Sequence, residues 1–163
     1  MDEALRILKQ EEAFHAGKGD REALDVLQRS YGNQALILRA WGRLEEALAL
    51  HKKEEAICLE LGNKDGLQRS FGNQALILKA WGRLEEALAL HKREEAICLE
   101  LGNKNGLAYC YWQWGLLARQ QGDKQTERQK LGQALAIFGE LKMPRERDGV
   151  QAELDKIDSS PSS

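Results

Sequence analysis

The sequence predicts an all-α protein built from stacked helix pairs, and three observations support this prediction. Residues 31–70 and 71–110 are consecutive blocks of 40 residues that differ at only seven positions. A third, weaker copy follows in the same phase, with Gly122 two periods after Gly42. Within each block, apolar residues recur at helical spacing between glycines. Self-similarity at this period is the signature of a stacked repeat array.

Each block contains two helices, called here the first-type and second-type helix of a repeat. In the second block the first-type helix has Phe71, Ala75 and Leu78 on one face. Its second-type helix ends at Gly102-Asn103, because glycine accepts the left-handed closing conformation and asparagine caps the next helix. We expect eight helices, at about residues 2–16, 21–40, 44–61, 65–81, 84–101, 105–121, 124–141 and 145–157.

The two ends of the predicted domain, residues 1–158, differ from its middle. Residues 2–16 match only a second-type helix and form a half repeat. Three full repeats follow, at 21–61, 65–101 and 105–141. Met143-Pro144 interrupts the chain, and the polar helix 145–157 is expected to cap the array. Residues 159–163 are predicted to be a disordered tail.

The composition excludes several classes of protein. The 163 residues include 42% hydrophobic and 31% charged residues, and the net charge is only −2. The sequence has no excess of basic residues, so nucleic acid is not expected as a partner. No apolar run reaches the roughly 18 residues that span a bilayer, so no membrane association is expected. The three cysteines are an odd number, which indicates reduced thiols in a cytoplasmic protein.

The spacing of residues in each block resembles that of tetratricopeptide repeat proteins. Phe71-x2-Gln74-Ala75-x2-Leu78 has the spacing of the first-helix pattern, and Ala87-x3-His91 stands where the second-helix pattern is expected. The 40-residue period is similar to that of the Leu-Gly-Asn (Pins)-type spindle adaptors and of kinesin light chains. This resemblance implies a right-handed superhelical solenoid of antiparallel helix pairs. It also implies that the first-type helices line a concave face that binds peptides and that the protein has no catalytic activity.

The concave face implied by the resemblance has chemically similar residues at the same position of each repeat. In related arrays the asparagine matched by Asn33 and Asn73 contacts peptide backbone. Stacked amides can bond a backbone, and guanidinium groups can pair with carboxylates. We therefore expect a protein-interaction module for an extended, partly acidic peptide. The expected peptide-binding residues are Arg29, Asn33, Leu36, Arg39, Arg69, Asn73, Leu76, Lys79, Tyr109, Gln113, Leu116 and Arg119.

An alternative function is structural. Near-perfect repetition and the start in mid-repeat also fit a self-associating scaffold, a fragment of a longer array or an engineered array, with no ligand of its own. In that case Leu5, Leu8 and Phe14 on the half repeat would form an exposed apolar strip that supports a homodimer. The other possibility for this helix is a simple N-terminal cap over the first block.

Polar residues also fall on the core stripe of the first two blocks. His51 and Glu54 or Glu55 stand where helices should pack, and burying them without partners would cost several kcal/mol each. At the equivalent positions the third block has Leu131 and Ala134, so the positions become non-polar together. We expect a hydrogen-bonded layer of His, Glu and Gln, with an i,i+4 pair between His51 and Glu55 at the edge as the alternative.

The sequence contains no pattern that indicates catalysis. His51 and Glu55 could offer two metal ligands, but no third ligand recurs near them, and a zinc site needs at least three. Cys58 and Cys98 lie on an apolar stripe, and the glycines separate helices instead of forming a phosphate-binding loop. We therefore expect no enzyme activity, no metal site and no cofactor.

Overall fold

The computed structural model describes residues 3–15, 17–18 and 20–159. These residues form eight α-helices and no strand, which confirms the all-α helical repeat fold. The helices are α1 Glu3–His15, α2 Arg21–Ala40, α3 Leu44–Leu61, α4 Lys64–Ala80, α5 Leu84–Leu101, α6 Lys104–Gln121, α7 Lys124–Glu140 and α8 Pro144–Asp158. Every described boundary lies within one residue of its predicted position. Residues 2, 16 and 160–163, where the first helix and the tail were predicted to extend, lie outside the described residues.

The glycine–asparagine turns have the predicted geometry. Gly62 and Gly102 adopt φ angles of 66° and 63°, a left-handed conformation that costs other residues energy. Each following asparagine caps a helix, because Asn63 Oδ1 accepts from the Gly66 amide at 2.9 Å and Asn103 Oδ1 does the same for Gly106. From α2 onward, these and similar turns limit each connection to two or three residues. The short turns fix where each helix of a pair begins and ends.

The chain divides into two compact units, Met1–Ile77 and Leu78–Ser163. In the first unit α2 packs against α1 and α3, and its core includes Leu27, Ala35 and Leu38. In the second unit α7 packs against α6 and α8. The core there consists of Leu107, Ala108, Tyr111, Trp114, Leu131, Ala134, Phe138 and Val150, with Cys98. No helix in the described part of the chain combines the length and apolar character that crossing a bilayer requires.

Of the three residues that the sequence predicted to form an exposed apolar strip on the half repeat α1, only Phe14 is exposed. Leu5 is only 1% exposed, because α1 packs against α2 and this side of α1 faces the core. Leu8 is half-buried, and its carbonyl accepts from Ser30 Oγ at 3.1 Å. Phe14 is 66% exposed, with Lys18 Nζ 3.5 Å from the centre of its ring. The burial of Leu5 favours the cap alternative for this helix.

The predicted polar layer is present in both units. In the first unit His51 Nδ1 lies 2.7 Å from Glu54 Oε2, and both residues are buried. Glu55 is not the partner of His51, because its carboxylate accepts from Gln74 Nε2 at 2.8 Å. In the second unit His91 Nδ1 lies 2.9 Å from Glu94 Oε2. The layer is therefore confirmed, and the His51–Glu55 alternative is wrong.

Candidate functional site

A cavity of about 250 Å³ opens on the first unit, among residues of α2, α3 and α4. Its lining residues are Gln28, Arg29, Gly32, Asn33, Leu36, Glu54, Arg69 and Asn73. Five of these are among the twelve residues that the sequence analysis selected. The remaining members of the first unit's predicted set, Arg39 and Leu76, are half-buried and do not line the cavity.

Helical spacing brings the lining residues together. Arg29, Asn33 and Leu36 lie on one face of α2, because residues four and seven apart share a face of an α-helix. Arg69 and Asn73 are four apart on α4 and stand one 40-residue period after Arg29 and Asn33. The cavity therefore presents a guanidinium and an amide from each of two successive repeats, with an apolar side chain beside them.

The floor of the cavity depends on a glycine inside α2. A Cβ atom at Gly32 would lie 2.6 Å from Glu54 Oε1, so a larger residue would displace this carboxylate. Glu54 is 6% exposed and is held by its contact with His51. Gln28, also on the lining, accepts from Asn63 Nδ2 at 2.7 Å. Sequence reasoning did not select these three lining residues, although a glycine in mid-helix was a usable signal for close approach.

Arg29 and Arg69, the two arginines that line the cavity, form only exposed ion pairs. Arg29 pairs with Asp25 at 3.1 Å and Arg69 with Asp65 at 3.8 Å, each within its own helix. The arginine side chains are 61% and 57% exposed, respectively. Exposed i,i+4 ion pairs contribute only about 0.3–0.5 kcal/mol, so a ligand carboxylate could replace these partners at small cost.

The other predicted basic residues are already engaged with neighbouring repeats. In the first unit Arg39 Nη1 donates to Asn73 Oδ1 at 3.4 Å. In the second unit Lys79 Nζ donates to Gln113 Oε1 at 3.3 Å, and burial lowers the pKa of Lys79. Each of these bonds joins successive first-type helices. These basic residues therefore tie one repeat to the next, and their amide partners keep free hydrogen-bond donors, because an amide that accepts through oxygen still has two N–H groups.

Two predicted residues of the third block, Arg119 and Tyr109, form hydrogen bonds with α8. Arg119 Nη1 donates to Glu153 Oε2 at 2.5 Å, and Arg119 Nε donates to Glu127 at the same distance. Tyr109 donates its hydroxyl to Glu146 at 3.3 Å. Burial, with Glu146 nearby, raises the pKa of Tyr109. The side chains of Tyr109 and Arg119 are thus already hydrogen-bonded to carboxylates of the same unit.

Helix α8 lies in the register of a further first-type helix. Glu153 stands 40 residues after Gln113. It accepts a hydrogen bond from Arg119, just as Gln113 accepts one from Lys79, which is 40 residues before Arg119. The helix also packs closely on Trp112, since a Cβ atom at Gly149 would lie 2.9 Å from that indole ring. Gln113 and Leu116 are half-buried on this side of the unit. The predicted residues that line the cavity all belong to the first unit.

The three thiols are poorly suited to nucleophilic chemistry. Cys58, Cys98 and Cys110 are all buried, and none of the three is in a disulfide. Burial, with Glu54 nearby, raises the pKa of Cys58 to about 12. Burial also raises the pKa of Cys110, with Glu94 as the next cause. A thiol with a raised pKa stays protonated near neutral pH, and the protonated form is a weak nucleophile.

The chain matches no protein-family model and no curated protein. Among solved structures it is similar to BtubC (BKLC) from P. vanneervenii, at 17% identity and a TM-score of 0.66, over 96% of this chain and 77% of that chain. It is also similar to a candidate kinesin light chain from Podosopora anserina with nearly identical TPR-like repeats, at 18% identity and a TM-score of 0.65, over 96% of this chain and 87% of that one. A single-residue variant of the latter protein gives a TM-score of 0.66 at the same identity and coverage.

These likenesses establish the fold. The chain has the helical repeat fold of TPR-like proteins, in agreement with the resemblance in its sequence. At identities of 17% and 18%, the likeness shows the fold alone. Because a fold is compatible with many functions, a more specific function has to be argued from the site.

Proposed function

We propose that this chain is a non-catalytic protein-interaction module that binds an extended, partly acidic peptide, with the cavity of the first unit as its anchoring site. The observation that carries the proposal is the composition of the cavity rim. Two exposed guanidiniums, two amides and one exposed leucine surround about 250 Å³ of space. An extended peptide offers the complementary groups, which are carboxylates, backbone amides and an apolar side chain.

Each rim residue has a separate role in this proposal. Arg29 and Arg69 pair with acidic side chains of the peptide, since a guanidinium binds a carboxylate bidentately. Asn33 and Asn73 bond the peptide backbone, because a side-chain amide both donates and accepts. Leu36, which is 40% exposed, contacts an apolar residue. Recognition of main-chain groups by repeated amides requires an extended ligand, whose own backbone groups are unpaired.

The proposal is narrower than the sequence alone suggested. Arg39 and Lys79 are assigned to holding successive repeats together, and Arg119 to holding α8, because each already donates to a neighbouring first-type helix or to α8. Leu76, Tyr109, Gln113 and Leu116 are left outside the anchoring site.

A charge-reversal experiment tests the proposal. Binding of an acidic, leucine-containing peptide is measured by calorimetry at physiological salt for the wild type and for R29E/R69E. The matched control is R43E/R83E, which changes the net charge equally. Arg43 and Arg83 are the equivalent exposed arginines of the two blocks; they pair with Glu46 and Glu86, and neither lines the cavity.

We expect R29E/R69E to weaken binding at least tenfold, as loss of charge-assisted hydrogen bonds predicts, and R43E/R83E to change it less than threefold. Equal losses in the two variants would mean that only net charge attracts the peptide, which would refute the proposed site. A peptide with Gln and Asn in place of its acidic residues should bind as weakly as the acidic peptide binds R29E/R69E.

A self-associating scaffold is the second candidate, and one observation favours it. Phe14 and Ile7 are 66% and 47% exposed on α1. If this surface pairs two chains, light scattering across a concentration series should show a dimer that F14E/I7E abolishes. L59E is the control, because Leu59 is 57% exposed on a different helix. A wild-type mass that stays monomeric would eliminate this candidate.

A further inference from the structure

The second unit contains a buried cluster of metal-ligating groups that the proposed peptide site does not involve. A ring nitrogen of His91, a carboxylate oxygen of Glu94 and the Cys110 Sγ all lie within 4.8 Å of one another. Their residues are 1%, 7% and 1% exposed. His91 and Glu94 share a face of α5, being three residues apart, and Cys110 lies on α6, which packs against α5. Within the described residues this is the one such group of three.

The local hydrogen bonds orient this cluster. His91 Nδ1 lies 2.9 Å from Glu94 Oε2, so the carboxylate fixes the imidazole ring. Cys110 Sγ donates to the His91 carbonyl at 3.4 Å, which holds the sulfur beside the histidine. His91 Nε2 is buried with no hydrogen-bond partner. The buried cluster thus presents one nitrogen, one oxygen and one sulfur ligand atom within 4.8 Å of one another.

We propose that His91, Glu94 and Cys110 form a binding site for a divalent cation of the zinc class. Zinc takes nitrogen, sulfur and carboxylate oxygen ligands together, at bond lengths that place the ligand atoms about 3.5 Å apart. The ligand atoms lie within 4.8 Å of one another, so binding requires a contraction of up to about 1.3 Å, which rotation of the side chains would supply. A water molecule would be the fourth ligand.

The charges of the cluster favour a divalent cation in this buried position. A thiolate and a carboxylate together neutralise a 2+ ion, while the histidine stays neutral. Burying an uncompensated charge would be costly, so this neutrality matters. A thiol must lose its proton to ligate a metal ion, so binding of the cation releases one proton and affinity should increase with pH.

The first unit contains a matched set that lacks only the thiol. His51 and Glu54 repeat the histidine–glutamate pair at 2.7 Å, and His51 Nε2 is likewise without a partner. Ser70 stands in the place of Cys110, and its hydroxyl donates to the His51 carbonyl at 3.0 Å. A neutral hydroxyl is not among the usual zinc ligands. The chain thus provides its own control, in which the sulfur is the difference.

Cobalt(II) is a suitable probe, because a thiolate bound to cobalt gives a charge-transfer absorption band and tetrahedral cobalt gives intense visible bands. The full chain is unfolded, treated with a chelator and refolded under reducing conditions with increasing Co²⁺, which gives the ion access to the buried site. Wild type is compared with C110S and S70C. C110S should fold, since Ser70 already makes the same hydrogen bond to a histidine carbonyl, and circular dichroism checks this.

We expect one equivalent of thiolate-bound cobalt in the wild type, none in C110S and two in S70C, with Zn²⁺ displacing the cobalt in each case. The absence of a thiolate–cobalt band in the wild type would overturn the proposal. So would a band that persists in folded C110S, because Cys58 or Cys98 would then be the ligand. S70C that still binds a single equivalent would contradict the claim that the thiol completes the site.

Discussion

The contact between buried His51 and Glu54 leads to a specific prediction about the free energy of unfolding of variants at these positions. Glu54 is 6% exposed, and its partner His51 Nδ1 lies 2.7 Å away. His51→Leu removes that partner and leaves the carboxylate buried and unpaired, which typically costs about 3–5 kcal/mol. Since a whole domain is stabilised by only about 5–15 kcal/mol, this single substitution removes a large share of the stability of the fold.

The double variant H51L/E54A should recover most of that loss. Its two residues are those of the third block, where Leu131 and Ala134 are fully buried in the second unit. Replacing both partners of a buried polar contact with apolar residues is often neutral or stabilising. We expect H51L/E54A to lie within about 1 kcal/mol of the wild type, so the coupling energy in a double-mutant cycle is at least about 2 kcal/mol.

Urea unfolding followed by circular dichroism measures both variants, with the midpoint and slope fitted together. E54A completes the cycle and reports what the histidine costs when its partner is removed. A single variant H51L that is within about 1 kcal/mol of the wild type would refute the reasoning. Equal losses in H51L and H51L/E54A would do the same, because the carboxylate would then make no difference.

Three further predictions concern packing, reactivity and pH. G115A should be less stable than G132A by about 1–3 kcal/mol in urea unfolding. Both substitutions gain helix propensity, but only a Cβ atom at Gly115 would crowd a buried side chain, with the Leu131 Cγ at 2.8 Å. Equal stabilities of the two variants would contradict this packing. Cys58, whose pKa burial raises to about 12, should be alkylated by iodoacetamide at mildly alkaline pH only when the protein is unfolded, as mass spectrometry of the labelled peptide will show; rapid labelling of the folded protein would exclude this burial. Burial acts to raise the pKa of Glu153, but hydrogen bonds from Lys156 and Arg119 outweigh it and hold the pKa below its usual value. The contribution of Glu153 to the free energy of unfolding is therefore present at neutral pH and is lost as the pH falls through this lowered pKa. E153Q should flatten the acid side of the plot of stability against pH, and an unchanged plot would refute this role of Glu153.

Much of the fold follows from local signals in the sequence. Helical periodicity and turn glycines are read within a few residues, so each described helix boundary is within one residue of its prediction. The joint change to Leu131 and Ala134 indicated a contact between the residues that they replace, which the His51–Glu54 pair confirms. Repetition helped because the same positions appear with different residues in one chain.

What the sequence did not predict depends on how one helix packs on another. Leu5 lies on an apolar stripe whichever way α1 faces, and only packing against α2 decides that it is buried. Arg39 and Asn73 are 34 residues apart, and a one-repeat pattern does not indicate that they bond to each other. Arg119 meets Glu153 because α8 continues the register of the repeats, which the polar pattern of α8 did not indicate.

The histidine–glutamate–cysteine cluster was missed for a related reason. Metal-ligand reasoning looked for a third residue that recurs near the histidine in every block, and Cys110 differs from its equivalent, Ser70. It comes 19 residues after His91 and reaches the cluster from the next helix. A substitution at one of seven variable positions therefore carried information that the identical positions lacked.

The central claim, that amides and arginines of the first unit hold an extended acidic peptide, is tested most directly by the side-chain amide signals of Asn33 and Asn73 in ¹⁵N NMR spectra. The acidic peptide is titrated into the labelled protein, with the amide of Asn103 as an internal reference, because that residue caps α6 in the second unit and does not line the cavity. We predict that the Asn33 and Asn73 signals shift in a saturable way with one common affinity while Asn103 stays fixed. Saturable shifts elsewhere with Asn33 and Asn73 unmoved would contradict the claim.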